Sequence, residues 1–324
     1  VAVAAVLAFA FDPLLHLGER AIRWETLGLA GAIFLVLVGT LVLSRRAAAG
    51  SGLAPFDPAD GGPLGGGRTG DHPALAADDL LFIALGVVPG ALVGGRLGYL
   101  LLHFDYYQAH LGEILDPARG GLQLSLALVG GLAGGSVVAR LLEAPLGRWL
   151  HVATLPVLVG MALGKVAMAL GGTGQGAPSD APWATAYLGP GPWGSLAPEI
   201  PSHPAQLYEA GGDLVLALLF AVLLGLGAFA RRDGLLCPVG LAGWSVIRFL
   251  VAFTWRDAPV LGPLRADQLI SVGLLAGSLV VVIGLAVARR RALRAVDPDT
   301  LRWPDPELAL HWREGRRRPN REQR

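Results

Sequence analysis

The heptapeptide HPAQLYE at 203–209, followed one turn later by Asp213, sets an imidazole, an amide, a phenol and two carboxylates at the head of an apolar run. Gln206, Glu209 and Asp213 are spaced three and four apart, so a helix places them on one face. His203 is positioned to cap that helix, with Pro204 at its favoured first position. Three cations lie inside other apolar runs: Arg96, with Tyr99 a turn further on, then Lys165, then Arg248. Against one or two carboxylates they leave surplus positive charge, which an anion would neutralise. A phosphate-bearing lipid headgroup suits ammonium and guanidinium donors, and a lipid can reach such a site sideways from the bilayer. His203 and Glu209 are the heptapeptide's ionisable candidates for chemistry. His103, near the end of the second apolar run, is a further candidate, weighed against an ordinary interfacial histidine. A structural reading stays open for each residue. Arg96 and Lys165 could snorkel to a headgroup layer, and Glu209 with Arg248 could be an ion pair joining two helices.

The elements that must position these groups are membrane spans. Of the 324 residues 53% are apolar and 16% charged, with a mean hydropathy of +0.54, whereas soluble domains carry about 25% charged residues. Apolar runs near the bilayer-crossing length of roughly 20 residues recur at about 27–43, 80–103, 122–142, 152–171, 206–229, 235–255 and 268–288. The fold class expected is an all-α polytopic membrane protein of about seven transmembrane helices with an outer interfacial arm. Inside such spans an ionisable residue is functional by default.

Residues 1–26 are expected to form an extracytoplasmic segment, whose opening VAVAAVLAFA reads as the remnant of a signal-like or re-entrant stretch. Residues 27–288 are the transmembrane domain. The Gly-, Pro- and Asp-rich stretch 47–78 reads as a flexible cytoplasmic insertion. The loop 172–205, with Trp183, Tyr187 and Trp193 among prolines, reads as a lid or arm on the outer membrane surface. Residues 289–324 form a basic tail suited to anionic lipid. Arginines concentrate after the first, third and fifth runs and in the tail, so the positive-inside rule places the N-terminus outside and the C-terminus in the cytoplasm. The single cysteine, Cys237, excludes an internal disulfide framework and reads as packing. No internal repeat supports an inverted-repeat transporter, and no nucleic-acid partner is expected.

HPAQLYE resembles the HPSQLYE signature of the bacterial prolipoprotein diacylglyceryl transferases. GGRLGYLL at 94–101, GGLAGG at 130–135, the segment from Leu155 to Ala184, IRFLVAFTWRDAP and DQLIS resemble further segments of that family, in order, across roughly 78–288. The resemblance implies an inner-membrane enzyme that moves the diacylglyceryl group of phosphatidylglycerol to the lipobox cysteine thiol of a prolipoprotein, releasing glycerol phosphate. It implies no metal or organic cofactor. It points to His203, Glu209 and Arg248 as catalytic residues, and to Arg96, Tyr99, Lys165, Gln206, Tyr208 and Gln268 as substrate-binding ones. The chain also departs from the family pattern. A third-span histidine falls at Leu128 or Val129, a phosphate-binding arginine at Lys165, and an asparagine at Met168. A glutamate falls at Thr173 and another at Ala252, and the first-span tyrosine is not evident in IRWETLGLA. Two alternatives stand beside the transferase: a catalytically degenerate phospholipid-binding relative, and a small transporter.

Overall fold

A computed structural model describes residues 7–48, 76–114, 116, 121–229 and 234–295. Most of the stretch read as an insertion (49–75) and of the basic tail (296–324) lies outside these residues, as do Arg68, Arg119, Arg231 and Arg232. The chain divides into two units, Val1–Val282 and Ile283–Arg324. As far as it is described, the second is the last part of one helix.

The first unit opens with strands β1 (Leu7–Phe9), β2 (Leu14–Leu17) and β3 (Arg20–Arg23), then helices α1 (Trp24–Ala48), α2 (Ala77–Leu102), the short α3 (Phe104–Ala109), α4 (Leu124–Leu141) and α5 (Leu146–Gly171). Strand β4 (Thr185–Tyr187), α6 (Ala205–Gly225), α7 (Leu236–Val251), β5 (Pro259–Leu261), β6 (Leu264–Arg265) and α8 (Ala266–Ala295) follow. Seven of these helices are long and apolar enough to cross a membrane, and the protein is a multi-pass membrane protein. Leu85, Leu218 and Val280 are each more than 60% exposed, as side chains turned toward lipid should be.

Two differences from the sequence expectation concern helix limits and the opening segment. Helix α5 starts six residues before the expected 152. Trp149 and His151, which break the apolar run, are buried rather than placed in a loop. From Leu7 onward the opening segment holds three short strands, of which β1 pairs in parallel with β4.

Small residues set the helix spacing. A β-carbon on Gly90 would collide with the carbonyl oxygen of Gly130, and one on Gly134 with that of Gly86. Helices α2 and α4 therefore meet backbone to backbone, the small-xxx-small mode of membrane helix packing. On the other side, α1 packs on α5 with Gly28 against Ala167 and Gly160 against Val36. A core of Leu158, Ala217, Phe220, Leu236 and Trp244 joins α5, α6 and α7. Gly130→Leu should cost about 1–3 kcal/mol or more by overpacking. Gly31→Leu, whose added carbon meets nothing within 4 Å, should leave the thermal midpoint in detergent unchanged.

Candidate active site

Five spans deliver polar side chains to one buried cluster at the ends of α5, α6 and α7 nearest the 172–205 loop. Glu209, the fifth residue of α6, is 2% exposed. Both of its oxygens accept from Arg248 Nη1 of α7, at 3.1 and 3.2 Å, and Oε2 also pairs with Lys165 Nζ of α5. Arg248 Nε donates to Ser125 Oγ of α4 at 2.9 Å, and Nη2 donates to Asp267 Oδ1 of α8 at 3.3 Å. Its guanidinium lies 4.4 Å from the ring centre of Trp255 and 5.5 Å from that of Trp244. Such stacking suits a weakly hydrated planar cation. Gln123 Nε2 donates to the same Asp267 oxygen at 2.6 Å, and its own carbonyl oxygen caps α4 by accepting from Leu126 N.

Asp213, one turn beyond Glu209, is fully buried, and neither of its oxygens has a hydrogen-bond partner in the protein. The charge count therefore differs from the sequence expectation. Lys165 and Arg248 face three carboxylates, Glu209, Asp213 and Asp267, so the site holds no surplus cation. Asp267 was missed because it sits at the first turn of an apolar helix, where an acid reads as a simple N-terminal charge.

Arg96 does not join this cluster. Its Nε donates to the Ile114 carbonyl at 2.7 Å and its Nη2 to the carbonyls of Glu113 and Asp116 at 2.9 and 3.1 Å, while the guanidinium lies over Tyr107. Tyr99 stacks on His103 with ring centres 4.1 Å apart. Both sit with Arg96 around the turn that closes α2 and α3, and His103 is exposed. Gln268 spends its amide on backbone, accepting from Arg265 N at 2.8 Å and donating to the Phe249 carbonyl at 3.3 Å.

The third-span position also resolves differently. Leu128 lines an apolar groove and Val129 is 37% exposed. The α4 side chain that faces Arg248 is Ser125, one turn earlier. Thr173, reached through the left-handed Gly172 that ends α5, donates its hydroxyl to Glu25 Oε1 of α1 at 2.6 Å. A carboxylate thus stands beside Thr173 after all, supplied by Glu25 from the first span, within the stretch IRWETLGLA.

Above the cluster, the head of α6 is tied into the 172–205 loop. The helix begins at Ala205 and His203 does not cap it. Instead His203 Nδ1 lies 3.3 Å from the Tyr208 hydroxyl, which accepts from Trp183 Nε1 at 2.6 Å. Gln206 donates to the Tyr187 hydroxyl at 2.9 Å, and burial pushes that phenol up to about 12. Tyr187 stacks with Phe9 at 5.0 Å and packs against Trp193 at 4.8 Å. Arg256 pins the loop through Gly176 O and Ser202 Oγ, at 2.6 and 3.0 Å. Of the three aromatics expected at the membrane surface, Tyr187 is instead buried, while Trp183 is 54% exposed. This loop is a fastened cap.

Beside the cluster lies an apolar groove of about 70 Å³ between α4, α5 and α7, lined by Leu128, Thr154, Met161, Cys237, Leu241 and Trp244 among others. Trp244 belongs to both, touching the groove and flanking Arg248. Removing Glu209 would leave two buried cations on adjacent helices without their shared anion. Breaking such a pair costs about 3–5 kcal/mol. Glu209→Gln should lower the thermal midpoint in detergent well below that of Asp267→Asn, whose carboxylate bonds a single cation at the partly exposed rim.

A family model described as prolipoprotein diacylglyceryl transferase matches residues 63–284. Among relatives named phosphatidylglycerol–prolipoprotein diacylglyceryl transferase, that of Cupriavidus pinatubonensis is 31% identical over 88% of this chain and 94% of its own length. That of Ruegeria pomeroyi is 32% identical over 86% and 91%, and that of Nitrobacter hamburgensis 29% identical over 91% and 94%. Two cations locked on one carboxylate behind HPAQLYE therefore sit in a chain that belongs to the prolipoprotein diacylglyceryl transferase family.

Proposed function

We propose that this protein transfers the diacylglyceryl group of phosphatidylglycerol to the thiol of a prolipoprotein's lipobox cysteine, releasing glycerol phosphate. The observation that carries the reading is the juxtaposition of Lys165 and Arg248 with the apolar groove, one polar and one greasy subsite sharing Trp244. The ammonium of Lys165 carries three donors, and Glu209 is its one partner among the described residues. Two donors therefore remain for a phosphate. Arg248 is held by Ser125, Glu209 and Asp267, and so is oriented before any ligand arrives. As the C–O bond to phosphate breaks, the leaving oxygen gains charge. Fixed cations in a dry site stabilise that change most. The groove suits an acyl chain of the donor lipid. His203 and Tyr208, under Trp183, lie at the mouth where an acceptor peptide would approach. The orientation that fits is N-terminus outside and C-terminus cytoplasmic in a bacterial inner membrane, with the arginine-rich connections inside.

One observation favours a second reading, a phospholipid-binding relative without turnover. The α4 residue facing Arg248 is Ser125, which cannot act as a base at neutral pH. The transporter alternative loses its footing with the family match. The two remaining readings separate in one assay, using purified protein, labelled phosphatidylglycerol and a lipobox peptide. Label on the peptide thiol, reduced about 100-fold or more by Arg248→Ala because an electrostatic stabiliser of the leaving group is gone, supports the transferase. Lipid bound without label transfer supports the second reading.

A further inference from the structure

The chain between α7 and α8 does not stay above the bundle. Helix α7 ends at Val251, and a 3-10 turn carries the chain on through Thr254. The next span begins lower down. In the first turn of α8, Asp267 accepts from Arg248 Nη2 at 3.3 Å and Gln268 donates to the Phe249 carbonyl at 3.3 Å. From Phe249 to Thr254 a helical chain climbs roughly 8 Å at 1.5 Å per residue. The connection holding β5 and β6 must therefore come back down by that amount before α8 starts. It does so on the end of the bundle that carries the 172–205 loop, which Arg256 holds through Gly176 and Ser202. The level it returns to lies within the apolar stretch Leu236–Thr254, which is itself long enough to span a membrane.

The returning segment has the composition of a lipid-facing element. From Ala258 to Leu264 it reads APVLGPL, without one polar side chain. Val260 and Leu261 at its turn are 67% and 62% exposed, an apolar tip that water would penalise. Pro259 and Pro263 have no N–H, so the turn brings two fewer donors into a medium that could satisfy none. The β2–β3 hairpin stands at the same end, since Arg23 donates to the Pro192 carbonyl of the cap. Its tip carries Glu19 and Arg20 instead. Arg256 and Arg265 flank the apolar turn, and among the described residues neither pairs with a carboxylate. Their bonds go to the carbonyls of Gly176 and Asp257, to Gln175 Oε1 and to Ser202 Oγ. Guanidinium groups beside an apolar tip match lipid phosphates above acyl chains.

We infer that the β5–β6 hairpin is inserted in the membrane. Val260 and Leu261 sit among the acyl chains of the leaflet on the cap side, with Arg256 and Arg265 at its phosphates. The partner is the lipid surface itself. This insertion goes beyond the transfer reaction and stands without it. For the site it has one consequence: the rim formed by Asp267 and Arg248 is held at a fixed depth beneath the headgroups.

The test attaches an environment-sensitive fluorophore to Leu261→Cys in a Cys237→Ala background, with Glu19→Cys as the water-facing comparison. Both proteins are reconstituted in vesicles of phosphatidylglycerol and phosphatidylcholine. The label at position 261 should emit to the blue of the label at position 19. It should be quenched by lipids bearing a nitroxide near the top of the acyl chain and shielded from aqueous iodide, with the reverse at position 19. Iodide reaching position 261 as readily as position 19 overturns the inference. Should the Cys237→Ala background fail to fold, the same two exchanges in the native chain carry the test. Their reaction with a charged, membrane-impermeant thiol reagent is then read by mass spectrometry. Position 261 should react severalfold more slowly than position 19, and equal rates overturn the inference.

Discussion

The structure is organised around a constraint that lipid imposes and water would not: Lys165 and Arg248, brought in on different spans, must share the carboxylate of Glu209 because no solvent is there to hold any of the three. Isolated, each charge would be expelled from such a place. Together they fix the relative rotation of α5, α6 and α7, since only one face of each helix carries the required group. The guanidinium then extends the constraint to α4 through Ser125 and to α8 through Asp267. A buried ion set of this kind adds little net stability compared with apolar packing. It specifies which helix faces inward.

The apolar framework is built to allow that specification. Backbone contact between α2 and α4 through Gly86, Gly90, Gly130 and Gly134, and small-residue packing of α1 on α5, bring the helices close without demanding one unique interlock of large side chains. The cap works the other way. Phe9, Tyr187 and Trp193 interlock as rings, and Arg256 and Gln175 tie the loop by its backbone carbonyls. A closely spaced bundle below and a fastened cap above leave the groove beside Trp244 as the apolar recess next to the charges. That arrangement orients an amphipathic ligand, phosphate to the charges and chain to the groove.

Much of this was legible in the amino acids. All seven spans overlap the apolar runs, with α5 starting earlier than its run, because a membrane helix must be largely apolar and that signal survives without tertiary information. Glu209 and Arg248 were identifiable because ionisable groups in such runs are costly. The rest was hidden for physical reasons. Arg96 carries the same signal as Arg248, yet its guanidinium serves backbone carbonyls at a turn, and only the chain's path from α3 to α4 reveals it. Ser125 has no charge to flag it, and Glu25 and Asp267 stand at helix starts, where acids are ordinary. Gln206 and Gln268 read as ligand-binding amides, but an amide satisfies backbone or a tyrosine hydroxyl equally well. Pairing of β1 with β4 joins segments about 180 residues apart and leaves no local pattern beyond three apolar residues.

The claim on which the account depends is that one phospholipid occupies both subsites, its phosphate against Lys165 and Arg248 and a chain in the groove. The most direct measurement is an experimental structure of the protein with phosphatidylglycerol brominated along one acyl chain. The account predicts phosphate density within hydrogen-bonding distance of Lys165 Nζ and Arg248, and bromine signal between Trp244 and Cys237. A headgroup held elsewhere, for instance around Arg96 and Tyr99, with the Lys165–Glu209–Arg248 set undisturbed and the groove free of bromine, would contradict it.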